Sequence, residues 1–220
     1  GLLTIPGMLN KNKSIAVLPF YNDSQSADTV EFIVRGFEEA VRDNLQMISD
    51  LRVVNRTSVE QYRNNRNRYA YEIARKLRIG HIVEGSAQIS GNELKLIVRL
   101  IRSKKKEIRV WGDTYKINLS DASASFAAQG EISKEIATAL EAEITSSERR
   151  IIDKRPTENR AAYDYFLIGK TYWTKLTEPD LITAKKYFEL ALEKDPDFAL
   201  AYAGLSDMWL AMGNNGYIQP

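Results

Sequence analysis

Apolar residues recur at every second position between Ile79 and Tyr115. A period of two commits this stretch to strands, because alternate side chains of a strand share one face. Ile79, His81, Val83, Gly85, Ala87 and Ile89 form the first run, and Ser90-Gly91-Asn92 supplies turn chemistry. Leu94, Leu96, Val98 and Leu100 form the second, and Ser103 to Glu107 turns the chain again before Ile108 to Tyr115. The reading is a three-stranded antiparallel meander.

The flanking segments determine what the meander packs against. Ser14-Ile15-Ala16-Val17-Leu18-Pro19-Phe20 is short and apolar on both faces, as a strand buried between helices is. From Asp28 to Ile48, Val30, Ile33, Val34, Phe37, Val41, Leu45 and Ile48 follow helical spacing, with Glu31/Arg35 and Glu38/Arg42 as i,i+4 pairs. Leu51 to Val54 reads as a second strand. Thr57 or Ser58 caps a helix that is interrupted by the polar stretch Arg63 to Arg68 and resumes through Ile73, Ala74 and Leu77. Leu119-Ser120-Asp121 opens a last helix reaching about Ser147. The order βαβαβββα predicts an α/β sandwich with a mixed sheet. After the polar, proline-bearing Lys154-Arg155-Pro156-Thr157, everything reads as helix.

The carboxy-terminal helices repeat. Tyr202, Leu205 and Trp209 stand 37 positions after Tyr165, Ile168 and Tyr172, and Ala184, Phe188, Ala191 and Pro196 occupy the intervening helix. This pattern resembles a tetratricopeptide repeat of the usual ~34 residues with a turn about three residues longer over Lys175 to Asp180. The segment 161–220 then holds one full repeat and the first helix of a second. The resemblance implies a concave groove in which Tyr163, Phe166, Lys170 and Trp173 meet a protein or peptide partner. Leu205, Met208, Trp209 and Met212 would face water, which calls for further repeats, packing on the first domain, or a homodimer.

The amino-terminal residues are similar to the TolB amino-terminal-like family. The likeness is carried in order by Ser14 to Phe20 with Asn22 and Ser24, Gly36 with Glu38-Glu39, Leu51 to Val54, Arg56-Thr57-Ser58, Ile73-Ala74 with Leu77, and Val83-Glu84-Gly85-Ser86. Gly91-Asn92, Arg99-Leu100-Ile101, Val110-Trp111 with Tyr115, and Gln129 with Glu131-Ile132 complete it, so that it spans about residues 13 to 147. Ser103-Lys104-Lys105-Lys106 departs from the family's glycine-bearing turn. The resulting division is a tail or tag remnant over 1–12, the α/β domain over 13–150, a linker over 151–160 and the repeat segment over 161–220. The resemblance implies a bacterial signalling protein, such as a membrane-associated transcriptional regulator or an adenylate cyclase-like protein. There the module follows a helix-turn-helix, cyclase or kinase domain, with an upstream membrane anchor. This segment would be soluble and periplasmic, with the cytoplasm as the alternative.

Composition narrows the chemistry. With 31 basic and 29 acidic residues the net charge is +2, too balanced for a nucleic-acid binder. The absence of cysteine removes thiol nucleophiles and thiolate metal sites, and a single histidine, His81, precludes histidine dyads. No stretch approaches the ~18 uninterrupted apolar residues of a membrane span. Two basic clusters remain: Arg63, Arg66 and Arg68 with Tyr62, Tyr69 and Tyr71, and Arg102, Lys104, Lys105, Lys106 and Arg109 at a hairpin tip. Solvated surface is the commoner meaning of the first, against stacking on a nucleic acid or gripping an acidic protein segment, and a charged tip that discourages edge-to-edge pairing is the commoner meaning of the second, against anionic lipid headgroups. The expectation is a non-catalytic protein-interaction, sensory or scaffolding module, with no cofactor and no metal. The alternative is a small-molecule or nucleotide-related enzyme using Glu84 and Asp113 on an open sheet face.

Overall fold

The computed structural model describes residues 13–25, 27–63, 65, 69–103 and 107–217. The expected tail over 1–12 and the lysines 104–106 of the hairpin tip lie outside them. Six strands form one mixed sheet in the order β3-β1-β4-β5-β6. Strand β1 (Ser14–Val17) runs parallel to both β3 (Arg52–Val53) and β4 (His81–Ser90). Strands β4, β5 (Glu93–Ser103) and β6 (Glu107–Asn118) make the antiparallel meander that the period of two predicts. Ser90 pairs with Glu93 across a two-residue turn in which Gly91 takes φ 56, a left-handed conformation that glycine adopts without a Cβ penalty. A strand too short to read from sequence, β2 (Tyr21–Asn22), adds to β4 in parallel.

Helices cover both faces. Helix α1 (Ala27–Gln46) turns Ile33, Val34, Phe37, Val41 and Leu45 onto Val17, Val83, Leu96, Val98 and Leu100. Helix α4 (Ala122–Ala139) adds Ile132 and Ile136 to the same layer. On the other face, α2 (Arg56–Glu60) and α3 (Ala70–Leu77) pack Val59, Ile73 and Ala74 against Ala16, Leu18 and Ile82. Strand β1 is therefore buried at all four positions, as its unbroken apolar run requires.

The helix expected to run to Ser147 ends at Ala139. Glu141 takes φ 54 and the Ala142 amide donates back to the Ala137 carbonyl at 2.9 Å, so a non-glycine residue carries the left-handed stop. A separate helix α5 (Ser146–Ile152) follows, within the expected linker at its end. It starts on a capping box: Thr145 Oγ1 accepts from the Glu148 amide, and Glu148 Oε2 accepts from the Thr145 amide at 2.8 Å. The other Glu148 oxygen accepts from the Ser49 amide at 2.9 Å, tying α5 to the end of α1.

Helices α6 (Arg160–Trp173), α7 (Glu178–Lys194) and α8 (Ala199–Asn214) form the carboxy-terminal half. Phe188 of α7 stands between Gly169 of α6 and Gly204 of α8, with Ala162, Leu181, Ala184, Ala191 and Phe198 around it. Met208 and Met212, expected at a bare surface, turn into this cluster at 1% and 7% exposure, whereas Trp209 is 45% exposed. Among the described residues no helix is long and apolar enough to cross a membrane.

The Glu148 carboxyl, held by the Ser49 and Thr145 amides, is depressed from 4.5 to about 2. Its stabilising contribution is complete above the unfolded value of 4.5 and is lost as pH falls toward 2. Glu148→Gln is expected to lower the urea midpoint at pH 7, with the gap to the parent closing as pH drops below 4.5. A gap independent of pH contradicts the cap.

Candidate functional site

Helix α1 carries charge inside the protein. Glu38 lies only ~20° from Leu45 on the helical wheel, inside the apolar stripe, and is fully buried. A buried carboxylate is tolerable only when its oxygens are saturated. Phe20 donates its amide to Oε2 at 3.1 Å, Arg63 donates from Nη1 and Nη2 at 3.1 and 3.2 Å, and the buried Arg42 pairs with Oε1. Arg63 also holds Glu60 at 2.6 Å, and Glu60 in turn accepts from Arg35 at 2.8 Å. Of the two i,i+4 pairs expected on this helix, Glu38/Arg42 forms. Arg35 instead reaches α2, and Glu31 accepts from Asn22 at 2.9 Å.

Glu39, the next residue, points toward the carboxy-terminal half. It is 7% exposed and pairs with Arg56 at 3.4 Å and with Lys170 of α6 at 2.9 Å; Lys170 also lies 3.7 Å from Asp43. One turn away the helices approach closely: a Cβ on Gly36 would fall 2.6 Å from the Leu167 side chain, so glycine is what lets α6 reach Glu39. A third contact uses α4, where Gln129 Nε2 donates to the Tyr163 hydroxyl at 2.9 Å and the Phe126 and Tyr163 rings lie 4.5 Å apart. Phe166 continues this aromatic series to Phe198 at 5.2 Å and Phe188 at 5.9 Å. Among the described residues the two halves thus share a seam of Lys170 paired with Glu39 and Asp43, the Gln129–Tyr163 hydrogen bond and a line of rings.

Beside the seam opens a cleft of about 290 Å³. Gly36, Ala40 and Asp43 of α1, Met47 just past its end, Phe126 and Gln129 of α4, Ile151 of α5, Lys154 and Leu200 contribute to its wall. Met47, Ile151 and Leu200, at 48%, 54% and 40% exposure, bring three apolar side chains from separate parts of the chain to its mouth. Of the four residues expected to meet a partner, Tyr163, Phe166 and Lys170 line this cleft while also forming the seam. Trp173 is not in its lining and packs at the edge of the helical cluster.

The sheet separates the carboxylates of the enzymatic reading. Asp113 pairs in register with Val98, which pairs with Gly85, whereas Glu84 pairs with Arg99. Neighbouring positions of a strand face opposite ways, so Glu84 and Asp113 lie on opposite faces and share no site. His81 is buried in β4 between β1 and β5. Within the first basic cluster, Tyr62 is buried and Arg63 holds Glu38 and Glu60, whereas Tyr69 and Tyr71 are exposed; Arg66 and Arg68 lie outside the described residues. Sequence reading missed Glu38 as a buried charge, and Glu39 and Gly36 as determinants of the seam. The wheel position of Glu38 was the available signal.

Charge at the seam is set by its surroundings. Burial works to raise the Glu39 carboxyl, but Lys170 and Arg56 hold it below its ordinary 4.5. Burial works to lower the Lys170 ammonium, but Glu39 and Asp43 lift it above 10.5. Burial pushes the Tyr163 phenol up to about 12, so it stays protonated at physiological pH.

The family model for the HilA/YgeH-like transcriptional regulator second domain matches residues 11–135. A putative adenylate cyclase 3 of Rhizobium meliloti is 27% identical over 202 residues, covering 91% of this chain and 33% of that protein. The chain thus spans about a third of the length of the curated relative it matches. Among solved structures, TolB of Acinetobacter baumannii is similar at 17% identity and a TM-score of 0.42, covering 58% of this chain and 28% of that one. The PelC dodecamer of Paraburkholderia phytofirmans is similar at 19% identity and a TM-score of 0.40, covering 61% and 91%.

Glu39 contributes fully above 4.5 and loses its contribution as pH falls through its depressed folded value. Lys170 contributes fully below 10.5 and loses its contribution as pH rises through its raised one. The ion pair is therefore at full strength between those limits. In a double-mutant cycle of Glu39→Gln and Lys170→Met, denaturation at pH 7 is expected to show a coupling of about 1–2 kcal/mol, moderated by the partial exposure of Lys170. Additive effects contradict the pair.

Proposed function

Since the chain belongs to the HilA/YgeH-like transcriptional regulator second-domain family through residues 11–135, we propose that it is a non-catalytic protein-interaction module of a bacterial signalling or transcription-regulatory protein, acting beside a membrane on its periplasmic face. Helices α6 to α8 are a tetratricopeptide-type pair followed by the first helix of a second repeat. The cleft against the α/β half receives the partner. The relationship to a putative adenylate cyclase supports a regulatory setting.

One observation carries the reading: a cleft with an apolar mouth, built from Met47, Ile151 and Leu200, opens where the two halves are locked together. Exposed apolar side chains gathered around a concavity are the composition of a recognition site. Occupancy there contacts α1, α4, α5 and α6 at once, so a bound segment adds contacts to both halves.

The test uses the parent protein in its own cells, with a photoreactive amino acid at Leu200. A discrete adduct with a periplasmic protein is expected, together with its loss in a Met47→Asp, Ile151→Asp variant that retains the parent's melting temperature. An adduct with a cytoplasmic protein keeps the module and removes the periplasmic placement. No adduct, or one indifferent to the two aspartates, removes the cleft as the binding site.

A further inference from the structure

Four separated segments bring basic side chains to one end of the sheet. The strand register sets Arg52, Ser14, Ile15, His81, Arg102 and Ile108 in one row across it. Helix α3 spans this row. The Tyr71 amide at its start donates to Glu107 Oε1 at 3.1 Å, and the Arg78 carbonyl at its end accepts from Arg52 Nη2 at 2.8 Å. The Ser103 amide closes the corner on the Gly80 carbonyl at 3.0 Å. Arg75, Lys76 and Arg78 from α3 and its cap, and Arg102 and Arg109 from the hairpin, are exposed, with Arg52 half-buried beside them. Among the described residues of these segments, six basic groups meet two acidic ones, Glu72 and Glu107. Four positive charges thus remain at one corner of a chain whose net charge is +2. Asp50, the neighbouring acid, is already paired with Lys13 at 2.5 Å. Glu141 and Glu143 follow α4, which packs on the face of the sheet opposite α3.

Apolar and aromatic side chains stand among these charges. Ile108 is 52% exposed, Tyr69 66% and Tyr71 39%. Ile108 and Arg109 are consecutive on β6 and point to opposite faces, so the patch wraps round the end of the sheet and lines no groove. A convex corner suits a flat partner. A nucleic-acid strand is instead tracked by a positively charged groove with rings on which bases stack, and an exposed isoleucine adds nothing to stacking. At a lipid surface every part of the patch has a place. The aliphatic side chain leaves water for the acyl boundary, tyrosine settles at the headgroup level, and arginine lays its stem in the interface with its charge among the headgroups.

We propose that this corner binds the surface of an anionic membrane, with Arg75, Arg78, Arg102 and Arg109 on lipid headgroups and Tyr71 and Ile108 in the interface. The hydrogen bonds of Glu107 and Arg52 hold α3 against the hairpin, so charge and apolar area are presented together on one surface. Attraction to anionic headgroups is additive over basic residues and falls off within a Debye length, which makes the association dependent on salt. The corner shares no residue with the cleft of Met47, Ile151 and Leu200. Lipid binding and partner binding can therefore each fail without the other.

The test uses the full chain with vesicles of phosphatidylcholine alone or mixed with an equal part of phosphatidylglycerol. Co-sedimentation is expected with the mixed vesicles at about 50 mM salt, about tenfold weaker at about 500 mM, and absent with phosphatidylcholine alone. Arg75→Glu with Arg109→Glu should weaken it at least about tenfold. Lys95→Glu with Lys116→Glu makes the same change of charge on an exposed cross-strand pair toward the other end of the sheet, and should leave binding within about threefold of the parent. Tyr71→Ser with Ile108→Ser should weaken binding about threefold or more. Each variant is compared at an unchanged melting temperature. A parent chain that does not sediment with the mixed vesicles overturns the proposal, as does equal weakening by the two charge reversals, or binding indifferent to the two serines. Binding to a DNA duplex of about 20 base pairs, lost in Arg75→Glu with Arg109→Glu while the vesicles stay unbound, assigns the corner to nucleic acid and overturns it too.

Discussion

Two consecutive carboxylates lie buried midway along α1, and the arrangement of both halves follows from how each is neutralised. Glu38 is satisfied inside the α/β half by the Phe20 amide, Arg42 and Arg63. Glu39 is satisfied by Arg56 from its own half and by Lys170 from the other. A carboxylate taken out of water must be compensated or protonated, at a cost of several kcal/mol per ion. The position of α6 is therefore an electrostatic requirement of α1, made sterically possible by Gly36 against Leu167.

That requirement explains why the cleft lies where it does. Glu39–Lys170 fixes one point of the seam and Gln129–Tyr163 another, while α5, pinned to Ser49 through Glu148, supplies the far wall. The mouth is left lined by Met47, Ile151 and Leu200. Tyr163, Phe166 and Lys170, which would line a groove in a free helical array, here face the α/β half, and what remains accessible is a composite surface.

The period of two gave away the meander, and the unbroken apolar run of β1 gave away its double-sided burial, because both are statements about which faces meet water. The helical spacing of Ile33 to Leu45 likewise specified the face of α1. Other features left no such trace. Strand β2 has two residues, too few for a period, and the stop after α4 rests on Glu141 in a left-handed conformation where sequence rules look for glycine. The seam was the least legible part, since Glu39 and Asp43 read as ordinary helix charges and Lys170 as a residue meeting a partner, until the tertiary fold brings the three together. Met208 and Met212 were misplaced for a related reason: the periodicity of α8 shows which residues share a face, not which of two faces a neighbour covers.

The central claim is that this seam makes the two halves one cooperative unit, and native-state hydrogen exchange tests it most directly. Amides of α1 around Val41 to Leu45 and of α6 around Phe166 to Gly169 should open with the same free energy and the same dependence on denaturant. Exchange in α6 to α8 at a distinctly lower free energy, with α1 unaffected, would show two halves that unfold independently and would contradict the account.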